Sequence, residues 1–343
     1  MKAVVLVGGF GTRLRPLTLH TPKQMLPVAG PTMLERVMAG LARHGVDEVV
    51  LSLGYRPEAF TAAFPDGRCA GVDLRYAVEP EPLDTAGAIA FAADEAGITE
   101  RFLALNGDVL TDLDLGALCR THESSGAAAT ISLTPVEDPS RYGVVPLHDD
   151  GRVQAFIEKP DPGTAPTNWI SAGSYVLEPA VLEAIPRGRR VSIEREVFPR
   201  LVGDGVLYGF RAEEYWIDAG TPEAYLRAKL DYLDGSRGAA VQGVHRGAHV
   251  DPAASVENSV VGAGCSVGPG ARVAGSVLMD GVAIAEGACV EDSIVGHGAT
   301  LGSRCSVTEL SVVGPGASLA AGCAVVSDRV PGPDEWEIDE NLG

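Results

Sequence analysis

Apolar residues recur every five or six positions through the C-terminal part of this chain, and this repeat limits the fold more than any other feature of the sequence. A small residue, usually Ala or Cys, stands four positions after most of them. Hexapeptide repeats of this kind are typical of a parallel β-helix, in which each face of a triangular coil directs one branched side chain inward. We therefore predict a left-handed parallel β-helix of about five coils over residues 242–330. The fifteen apolar positions are Val244, Val250, Val256, Val261, Val267, Val273, Leu278, Ile284, Val290, Val295, Leu301, Val307, Val313, Leu319 and Val325.

Cysteines and histidines within the repeat are interpreted as packing and surface residues. The six cysteines of the chain include no Cys-x-x-Cys pair, so neither a zinc site nor a disulfide framework is favoured. Hexapeptide helices also occur in acyltransferases with a histidine base, but no long insertion is available here to hold coenzyme A. His245, His249 and His297 are therefore expected on the surface. We expect the repeat to serve assembly or regulation, through a homo-oligomer formed by the β-helix.

The N-terminal part alternates strand-like and helix-like segments. Ala3–Val7 has the continuous apolar character of a strand buried on both faces, and Met33–His44 reads as a helix closed by Gly45. This succession predicts an α/β fold, Rossmann-like, with a mainly parallel sheet and right-handed crossovers. Strands are also predicted at Val49–Leu53, Leu74–Val78, Phe102–Leu105, Thr130–Val136, Gly143–Leu147 and Val153–Glu158, and helices at Glu58–Phe64, Thr85–Glu95 and Thr221–Leu233.

Four segments follow from these patterns: an α/β domain over 1–234, a linker at 235–241, the repeat at 242–330 and a tail at 331–343. The formal net charge of −19 and a pI near 4.7 argue against nucleic acid as a partner, because its phosphates would be repelled. No apolar run approaches the roughly 18 residues that span a membrane, and no cationic leader precedes the first strand. We therefore expect a cytoplasmic protein without a membrane partner.

A glycine-rich turn directly follows the first predicted strand. It reads Gly8-Gly9-Phe10-Gly11-Thr12-Arg13, and Arg15 and Lys23 add two more cations close by. Glycines at the carboxyl end of a strand let backbone N–H groups approach an anion. The P-loop tripeptide is absent, and the dinucleotide fingerprint is only half met, since a leucine replaces its third glycine. In so acidic a chain, this cluster predicts a site for a highly charged anion.

The segment from Gly8 to Lys23 resembles the opening motif of nucleotide-sugar pyrophosphorylases (sugar-1-phosphate nucleotidyltransferases), and the likeness is greatest to mannose-1-phosphate guanylyltransferases. This resemblance implies attack of a sugar 1-phosphate oxygen on the α-phosphorus of a nucleoside triphosphate, with release of pyrophosphate. The resemblance extends through nearly the whole chain, at Pro27, Glu35, Tyr55-Arg56-Pro57, Asn106-Gly107-Asp108, Glu158-Lys159-Pro160 and Trp216-Ile217-Asp218-Ala219-Gly220-Thr221.

The resemblance also implies roles for individual residues. Arg13 and Lys23 would be catalytic: Arg13 through forked hydrogen bonds to the departing pyrophosphate, and Lys23 as a point charge on the phosphates. Nucleotide binding is assigned to Leu6, Gly8, Gly9, Gly11, Thr12, Arg13, Glu79, Pro82, Asp84, Thr85 and Gly107. Sugar-phosphate binding is assigned to Asp108, Gly143, Glu158, Lys159, Ala172 and Gly173, and Mg²⁺ binding to Asp108 and Asp218.

Two departures from the family pattern affect substrate choice. Asp84 stands where relatives have glycine beside the nucleotide base, and Ser171 stands where they usually have asparagine. Asp tolerates unusual backbone angles better than most residues, so the loop is expected to keep its shape. The expected reaction is GTP plus mannose 1-phosphate to GDP-mannose, with thymidylyl or uridylyl transfer to glucose 1-phosphate as the alternative. A catalytically silent regulatory subunit is the alternative of another class.

Overall fold

The computed structural model describes residues 1–54, 56–237 and 240–336, and these divide into two compact units. The first contains Met1–Gly9 and Leu34–Trp216, and the second contains Phe10–Met33 and the chain from Ile217 onward. The part of the glycine-rich segment that follows Gly9 therefore belongs to the same compact unit as the C-terminal repeat. The domain boundaries at 234, 241 and 330, which come from the sequence, stay a prediction. Tyr55 of the predicted Tyr-Arg-Pro motif lies outside the described residues, as do 238–239 of the linker and 337–343 of the tail.

A ten-stranded sheet forms the core of the first unit. The strands of the unit are β1 (Lys2–Leu6), β2 (Glu48–Leu53), β3 (Arg68–Cys69), β4 (Val72–Val78), β5 (Phe102–Asn106), β6 (Val109–Thr111), β7 (Ala129–Pro135), β8 (Gly143–Val144), β9 (Ile157–Glu158), β10 (Trp169–Leu177) and β11 (Leu207–Arg211). The main path of the sheet runs β11-β7-β10-β5-β1-β2-β4-β3, with β8 paired to β10 and β9 to β8, and β6 lies outside it. The helices are α1 (Met33–Arg43), α2 (Pro57–Ala63), α3 (Asp84–Glu95), α4 (Leu115–Ser125), α5 (Pro179–Glu183) and α6 (Phe198–Gly203), with a π-helical turn at Ile193–Val197.

The predicted mainly parallel sheet is confirmed. Strand β1 is parallel to both β2 and β5, and the side chains of Ala3, Val4 and Val5 are fully buried, as expected for a strand covered on both faces. Strand β10, which the sequence pattern does not predict, is antiparallel to β5 and β7.

The strands predicted at Gly143–Leu147 and Val153–Glu158 are wrong in their length. Only Gly143–Val144 and Ile157–Glu158 pair as strands, and Leu147 meets Val153 in an isolated bridge. Pro146 has no N–H to donate to a ladder, which explains why the first of these strands stops early.

The second unit carries the predicted β-helix. Three parallel sheets of five strands each stack along the repeat, an arrangement consistent with a left-handed parallel β-helix. Fourteen of the fifteen predicted apolar positions lie in these strands, and Val244 forms an isolated bridge with Val261. The strands are β13 (His249–Val250), β14 (Ser255–Glu257), β15 (Val260–Val261), β16 (Ser266–Val267), β17 (Arg272–Ala274), β18 (Val277–Leu278), β19 (Ala283–Ile284), β20 (Cys289–Glu291), β21 (Ile294–Val295), β22 (Thr300–Leu301), β23 (Ser306–Thr308), β24 (Val312–Val313), β25 (Ser318–Leu319), β26 (Ala324–Val326) and β27 (Arg329–Val330).

Helix α7 (Pro222–Leu233) comes before the repeat, after the short strand β12 (Trp216–Asp218), within which the division into units falls. The hydroxyl of Thr221 caps α7 by accepting a hydrogen bond from the N–H of Ala224 at 3.2 Å. No helix in the described part of the chain is long and apolar enough to cross a membrane.

Buried serines connect successive coils of the β-helix. The N–H of Ser276 donates to Oγ of Ser259 at 3.0 Å, and the N–H of Ser293 donates to Oγ of Ser276 at 3.1 Å. The Ser276 hydroxyl in turn donates to the carbonyl of Ala274 at 2.7 Å. Each serine thus satisfies backbone groups inside a tight corner, where an unpaired N–H would be costly.

Burial of the cysteines and exposure of the histidines in the repeat agree in part with the positions expected from the sequence. All six cysteines are free, and Cys265 and Cys305 are buried in the core of the β-helix. His245, His249 and His297 are exposed.

Candidate functional site

Gly11 begins the turn that carries Arg13, and the conformation and surroundings of this position favour glycine. Its φ of +61° lies in the left-handed region, and a Cβ would lie 3.1 Å from Cγ2 of Thr18 and 3.2 Å from Cβ of Lys23. The Thr18 hydroxyl donates to the carbonyl of Gly11 at 2.8 Å, which fixes the turn from behind. The 3-10 turn Thr12–Leu14 follows directly.

Backbone and side-chain donors of this turn are available to an anion. Within the described residues, the N–H groups of Gly11, Thr12 and Arg13 donate no hydrogen bond. The Arg13 side chain is 62% exposed, and its Nη2 lies 3.9 Å from Oδ2 of Asp218. A pair this long and exposed is weak. The turn therefore presents three consecutive amides and a loosely held guanidinium.

Lys23 and Asp218 are the other two predicted site residues that lie in the second unit. Lys23 opens the 3-10 turn Lys23–Met25, next to Gly11. Asp218 ends strand β12, and its Oδ1 accepts a hydrogen bond from the N–H of Gly220 at 2.9 Å. This bond orients the carboxylate and leaves Oδ2 facing Arg13.

Arg15, one of the cations that follow the glycine-rich turn, contacts the C-terminal part of the chain. Its guanidinium lies over the ring of Trp336, 5.7 Å from the centroid, and its carbonyl accepts a hydrogen bond from Nη1 of Arg329 at 2.9 Å. Pro16 packs against Gly314, where a Cβ would lie 3.0 Å from the proline ring. The last coil of the β-helix therefore holds the segment that carries Arg13. Nothing in the sequence signals this contact.

In the first unit, Glu79 lies beside Gly8. Its Oε1 accepts from the Ser52 hydroxyl and its Oε2 from the N–H of Leu83, both at 3.0 Å. A Cβ at Gly8 would lie 3.3 Å from Oε1 of Glu79. Burial raises the pKa of the Glu79 carboxyl, while the two hydrogen bonds act in the opposite direction. Glu79 thus fixes the loop that includes Pro82, which is exposed.

Asp84 adopts a backbone conformation that normally requires glycine. Its φ is +60°, and its Oδ1 accepts a hydrogen bond from the N–H of Thr85 at 2.8 Å. Asp84 thus has the unusual backbone angle that the sequence analysis expected Asp to tolerate. The Thr85 hydroxyl donates to Oε2 of Glu194 at 2.7 Å and accepts from the N–H of Ile193 at 2.8 Å, so it ties α3 to the π-helical turn.

Gly107 lets two parallel strands end side by side. Its N–H donates to the carbonyl of Leu6 at 2.9 Å, and a Cβ would lie 2.6 Å from Cγ1 of Val7. No other residue fits this position without displacing β1. Asp108 therefore follows at the same carboxyl edge of the sheet as Gly8 and Gly9, where open α/β sheets bind ligands.

Gly143 and Glu158 face each other in the predicted sugar region. They are partners in the antiparallel pair of β8 and β9, and a Cβ at Gly143 would overlap the ring of Phe156. Nζ of Lys159 lies 3.3 Å from Oε1 of Glu158, and Lys159 has a φ of +48°. Glycine at 143 therefore allows the Phe156 ring to pack directly against the backbone next to Glu158.

Ala172 and Gly173 lie on β10 at a break in its pairing. Gly173 has a φ of +75°, and a Cβ there would lie 2.8 Å from Nδ2 of Asn106. The carbonyl of Ala172 accepts from Nε1 of Trp216 at 2.8 Å. The register with β7 shifts between Ser171 and Tyr175, so Ser171 stands where the strand bulges.

The two predicted metal ligands belong to different units, Asp108 to the first and Asp218 to the second. Among the residues that the structure describes, no group of three or more His, Cys, Asp or Glu side chains is arranged to hold a metal. Carboxylate oxygens are hard donors, and Mg²⁺ commonly takes one or two of them together with water and phosphate oxygens. This donor chemistry fits Mg²⁺ better than a closed zinc site.

Two family models match the chain. One described as nucleotidyl transferase matches residues 2–235, and one described as the GMPPB C-terminal domain matches residues 240–341. Together they cover both the α/β segment and the β-helix.

Relatives and solved structures agree with these models. A mannose-1-phosphate guanylyltransferase of Mycobacterium tuberculosis is 44% identical over 272 residues, which cover 76% of this chain and 75% of that protein. A probable mannose-1-phosphate guanylyltransferase 2 of Oryza sativa is 41% identical, covering 73% of this chain and 70% of that protein. The crystal structure of HddC from Yersinia pseudotuberculosis, also solved with GMP-PN, matches with a TM-score of 0.59 and 31% identity over 67% of this chain and 99% of that one.

A putative glucose-1-phosphate thymidylyltransferase from Bacillus anthracis matches with a TM-score of 0.61 and 25% identity, over 67% of this chain and 94% of that one. From its sequence, its sheet and these matches, the chain belongs to the nucleotidyl transferase family.

Proposed function

We propose that this protein transfers the guanylyl group of GTP to mannose 1-phosphate, forming GDP-mannose and releasing pyrophosphate. The observation that carries the proposal is the turn at Gly11, Thr12 and Arg13, which offers three amides without a partner among the described residues and one exposed guanidinium. The choice of substrates is supported by relatives named mannose-1-phosphate guanylyltransferase at 44% and 41% identity.

The reaction needs no nucleophile from the protein. A phosphate oxygen of mannose 1-phosphate bonds to the α-phosphorus of GTP, the bond from that phosphorus to the bridging oxygen of the β-phosphate breaks, and pyrophosphate carries the electron pair away. The protein must hold the two phosphates in line and stabilise the charge that develops on the leaving group. Arg13 suits the second task, because its planar guanidinium can bind two phosphate oxygens at once.

The remaining assignments are proposed from the family resemblance, and the geometry within each unit supports them. We assign the phosphates to the backbone of Gly8, Gly9, Gly11 and Thr12 and to Lys23, and the nucleoside to the loop fixed by Glu79. We assign the sugar phosphate to Glu158, Lys159 and the backbone at Gly143 and Gly173. Asp108 and Asp218 would hold Mg²⁺, which when bound would neutralise phosphate charge.

The alternative within the class is thymidylyl or uridylyl transfer to glucose 1-phosphate. The likeness to the Bacillus anthracis structure supports it, and Asp84 in the predicted nucleotide loop weakens the inference of the base from the family pattern.

One assay tests these proposals together. The purified protein is incubated with Mg²⁺, each of the four common nucleoside triphosphates and either sugar 1-phosphate, and pyrophosphate release is measured. We expect release with GTP and mannose 1-phosphate. Release only with dTTP or UTP would contradict the guanylyl assignment, and no release from any pair would favour the silent regulatory subunit.

We also propose that the protein is a cytoplasmic homo-oligomer formed through the β-helix. Two large apolar side chains of the repeat, Leu310 and Val326, are 37% and 50% exposed. A partner copy would cover them. Light scattering of the full chain would show a mass above 35.6 kDa, and a monomer would contradict the proposal.

A further inference from the structure

A cavity of about 170 Å³ lies between α7, the segment that follows Lys23, and the first coils of the β-helix, all within the second unit. Pro27, Ala29 and Gly30 form one wall, and Lys229 of α7 lines another. The Tyr225 hydroxyl donates to the carbonyl of Pro27 at 2.6 Å, which fixes that segment to the helix. None of these residues is used in the proposed reaction.

Lys229 is a buried cation without a counter-ion. Its side chain is 2% exposed, and Nζ lies 4.5 Å from the ring centroid of Tyr225. Nζ has no hydrogen-bond or ion-pair partner in the described part of the chain. Burial lowers the pKa of Lys229 to about 7, and the charge of Asp280 opposes this only in part.

The other charged groups around the cavity do not neutralise Lys229. Asp280 and His245 line it, but Oδ1 of Asp280 accepts a hydrogen bond from the N–H of Ala263 at 2.8 Å, and the two side chains are exposed. His297 interacts electrostatically with both Asp280 and Lys229. A buried ammonium is costly unless a partner compensates for the lost hydration, and open space lies next to this one.

We propose that this cavity binds a small oxyanion, a phosphate or carboxylate group, with Lys229 as the residue that holds its charge. A site for a drug-sized ligand is roughly 300–1,000 Å³, so this cavity suits a group the size of inorganic phosphate rather than a nucleotide. The site is separate from the residues assigned to guanylyl transfer. An oxyanion here would contact the segment that follows Lys23, and so would stabilise its position.

The lysine content of the chain makes a direct measurement possible. The sequence has four lysines, Lys2, Lys23, Lys159 and Lys229, so protein labelled with ¹³C-lysine gives four sets of side-chain NMR signals. The ¹³Cε shift of Lys229 is followed from pH 5.5 to 10 in sodium chloride alone, and then with inorganic phosphate or acetate at the same ionic strength. No nucleotide or sugar is present, so the result does not depend on the proposed activity.

We expect a Lys229 signal that titrates near pH 7 in chloride and at least one pH unit higher with phosphate, acetate or both, because an adjacent anion favours the charged form. A response to only one probe identifies the class of oxyanion. An unchanged Lys229 titration with both probes would overturn the proposal, since water alone would then fill the cavity.

Two variants control the experiment. Lys229→Met removes the charge but keeps the length of the side chain, and it should remove any rise in melting temperature produced by phosphate or acetate. Lys2→Met removes a partly exposed lysine that pairs with Glu48 at 3.0 Å, and it should leave that rise unchanged. Equal stabilisation of Lys229→Met and of the natural protein would also contradict the proposal.

Discussion

At the scale of single residues, Arg13 is the clearest test of the proposed chemistry. Removing one group that stabilises charge only in the transition state typically costs about 10²–10³ in kcat. We expect Arg13→Ala to lower kcat for pyrophosphate release by about that factor, and Arg13→Lys to recover only a part, because lysine cannot form the forked pair. Because the Arg13 side chain is exposed, we expect little loss of stability in either variant.

Arg152→Ala is the matched control for Arg13. Arg152 is also exposed, and its Nε donates to Oδ2 of Asp150 at 2.7 Å within one loop. Its removal should leave kcat unchanged. A kcat close to normal in Arg13→Ala, in a protein that melts normally, would contradict the catalytic role.

Lys229 predicts an unusual dependence of stability on pH. Its pKa is about 7 when folded, against 10.5 for an ordinary lysine, so the unfolded chain binds more protons between these values. Stability therefore rises with pH through this window, and burial of the charged form costs most below pH 7. We expect Lys229→Met to raise the free energy of unfolding by on the order of a few kcal/mol at pH 6, and by less at pH 9.

Urea denaturation in a buffer free of phosphate and carboxylate measures this difference. Equal effects of Lys229→Met at pH 6 and pH 9 would mean that Lys229 keeps an ordinary pKa in the folded protein.

The sequence predicts the conformation of some residues but not the contacts or burial of others. Asp84 could be placed in a left-handed conformation because the family pattern has glycine there, and its φ of +60° agrees. The partner of Arg15 could not be predicted, since Arg329 lies 314 residues away and meets its carbonyl only after the β-helix has formed. The burial of Lys229 could not be predicted either, because it depends on coils that follow Lys229 in the chain.

At the scale of structural elements, the last coil holds the segment that carries Arg13. Arg329 makes one hydrogen bond to the carbonyl of Arg15, and a bond of this kind contributes about 1 kcal/mol. We expect Arg329→Ala to lower kcat roughly fivefold, with little change in the mass of the particle. Steady-state pyrophosphate release measures the effect.

Gly314→Ala tests the same contact from the other side. The added Cβ would lie 3.0 Å from the ring of Pro16 and 3.1 Å from the carbonyl of Val330, so the coil or the turn must shift. Arg272→Ala, on an earlier coil, removes an exposed arginine paired with Glu257 and Glu291 and serves as the control. Equal kcat values for all three variants would exclude a positioning role for the last coil.

Elements with a repeating local pattern were predictable, and irregular ones were not. The β-helix follows from a period that is visible in sequence, and nearly all of its strands lie where the apolar residues predict. Strand β10 contains the run Ser-Ala-Gly-Ser at 171–174 with a left-handed Gly173, so no alternation indicates a strand. Its pairing between β5 and β7 supplies the stability that the local sequence does not.

At the scale of the whole molecule, we propose two separable roles for the repeat, which are assembly and positioning of the segment that carries Arg13. The sequence favours assembly or regulation, because a hexapeptide repeat needs no chemistry of its own. In the structure, Phe10–Met33 belongs to the same compact unit as the repeat, through contacts such as those of Arg329 with Arg15 and Gly314 with Pro16. The repeat is therefore placed to affect turnover even in a monomer.

Truncation after Leu233 separates the two roles. The shortened chain loses the hydrogen bond from Arg329 and the packing of Gly314, and it exposes the face of α7 that carries Lys229. We expect kcat to fall by more than in Arg329→Ala, because several contacts are lost together, and the mass in solution to fall to that of a monomer. Light scattering and pyrophosphate release on one preparation, with circular dichroism to confirm folding, measure both effects. If the truncated protein is folded and its kcat is unchanged, the repeat does not position the segment that carries Arg13. If its mass in solution still corresponds to an oligomer, the repeat is not required for assembly.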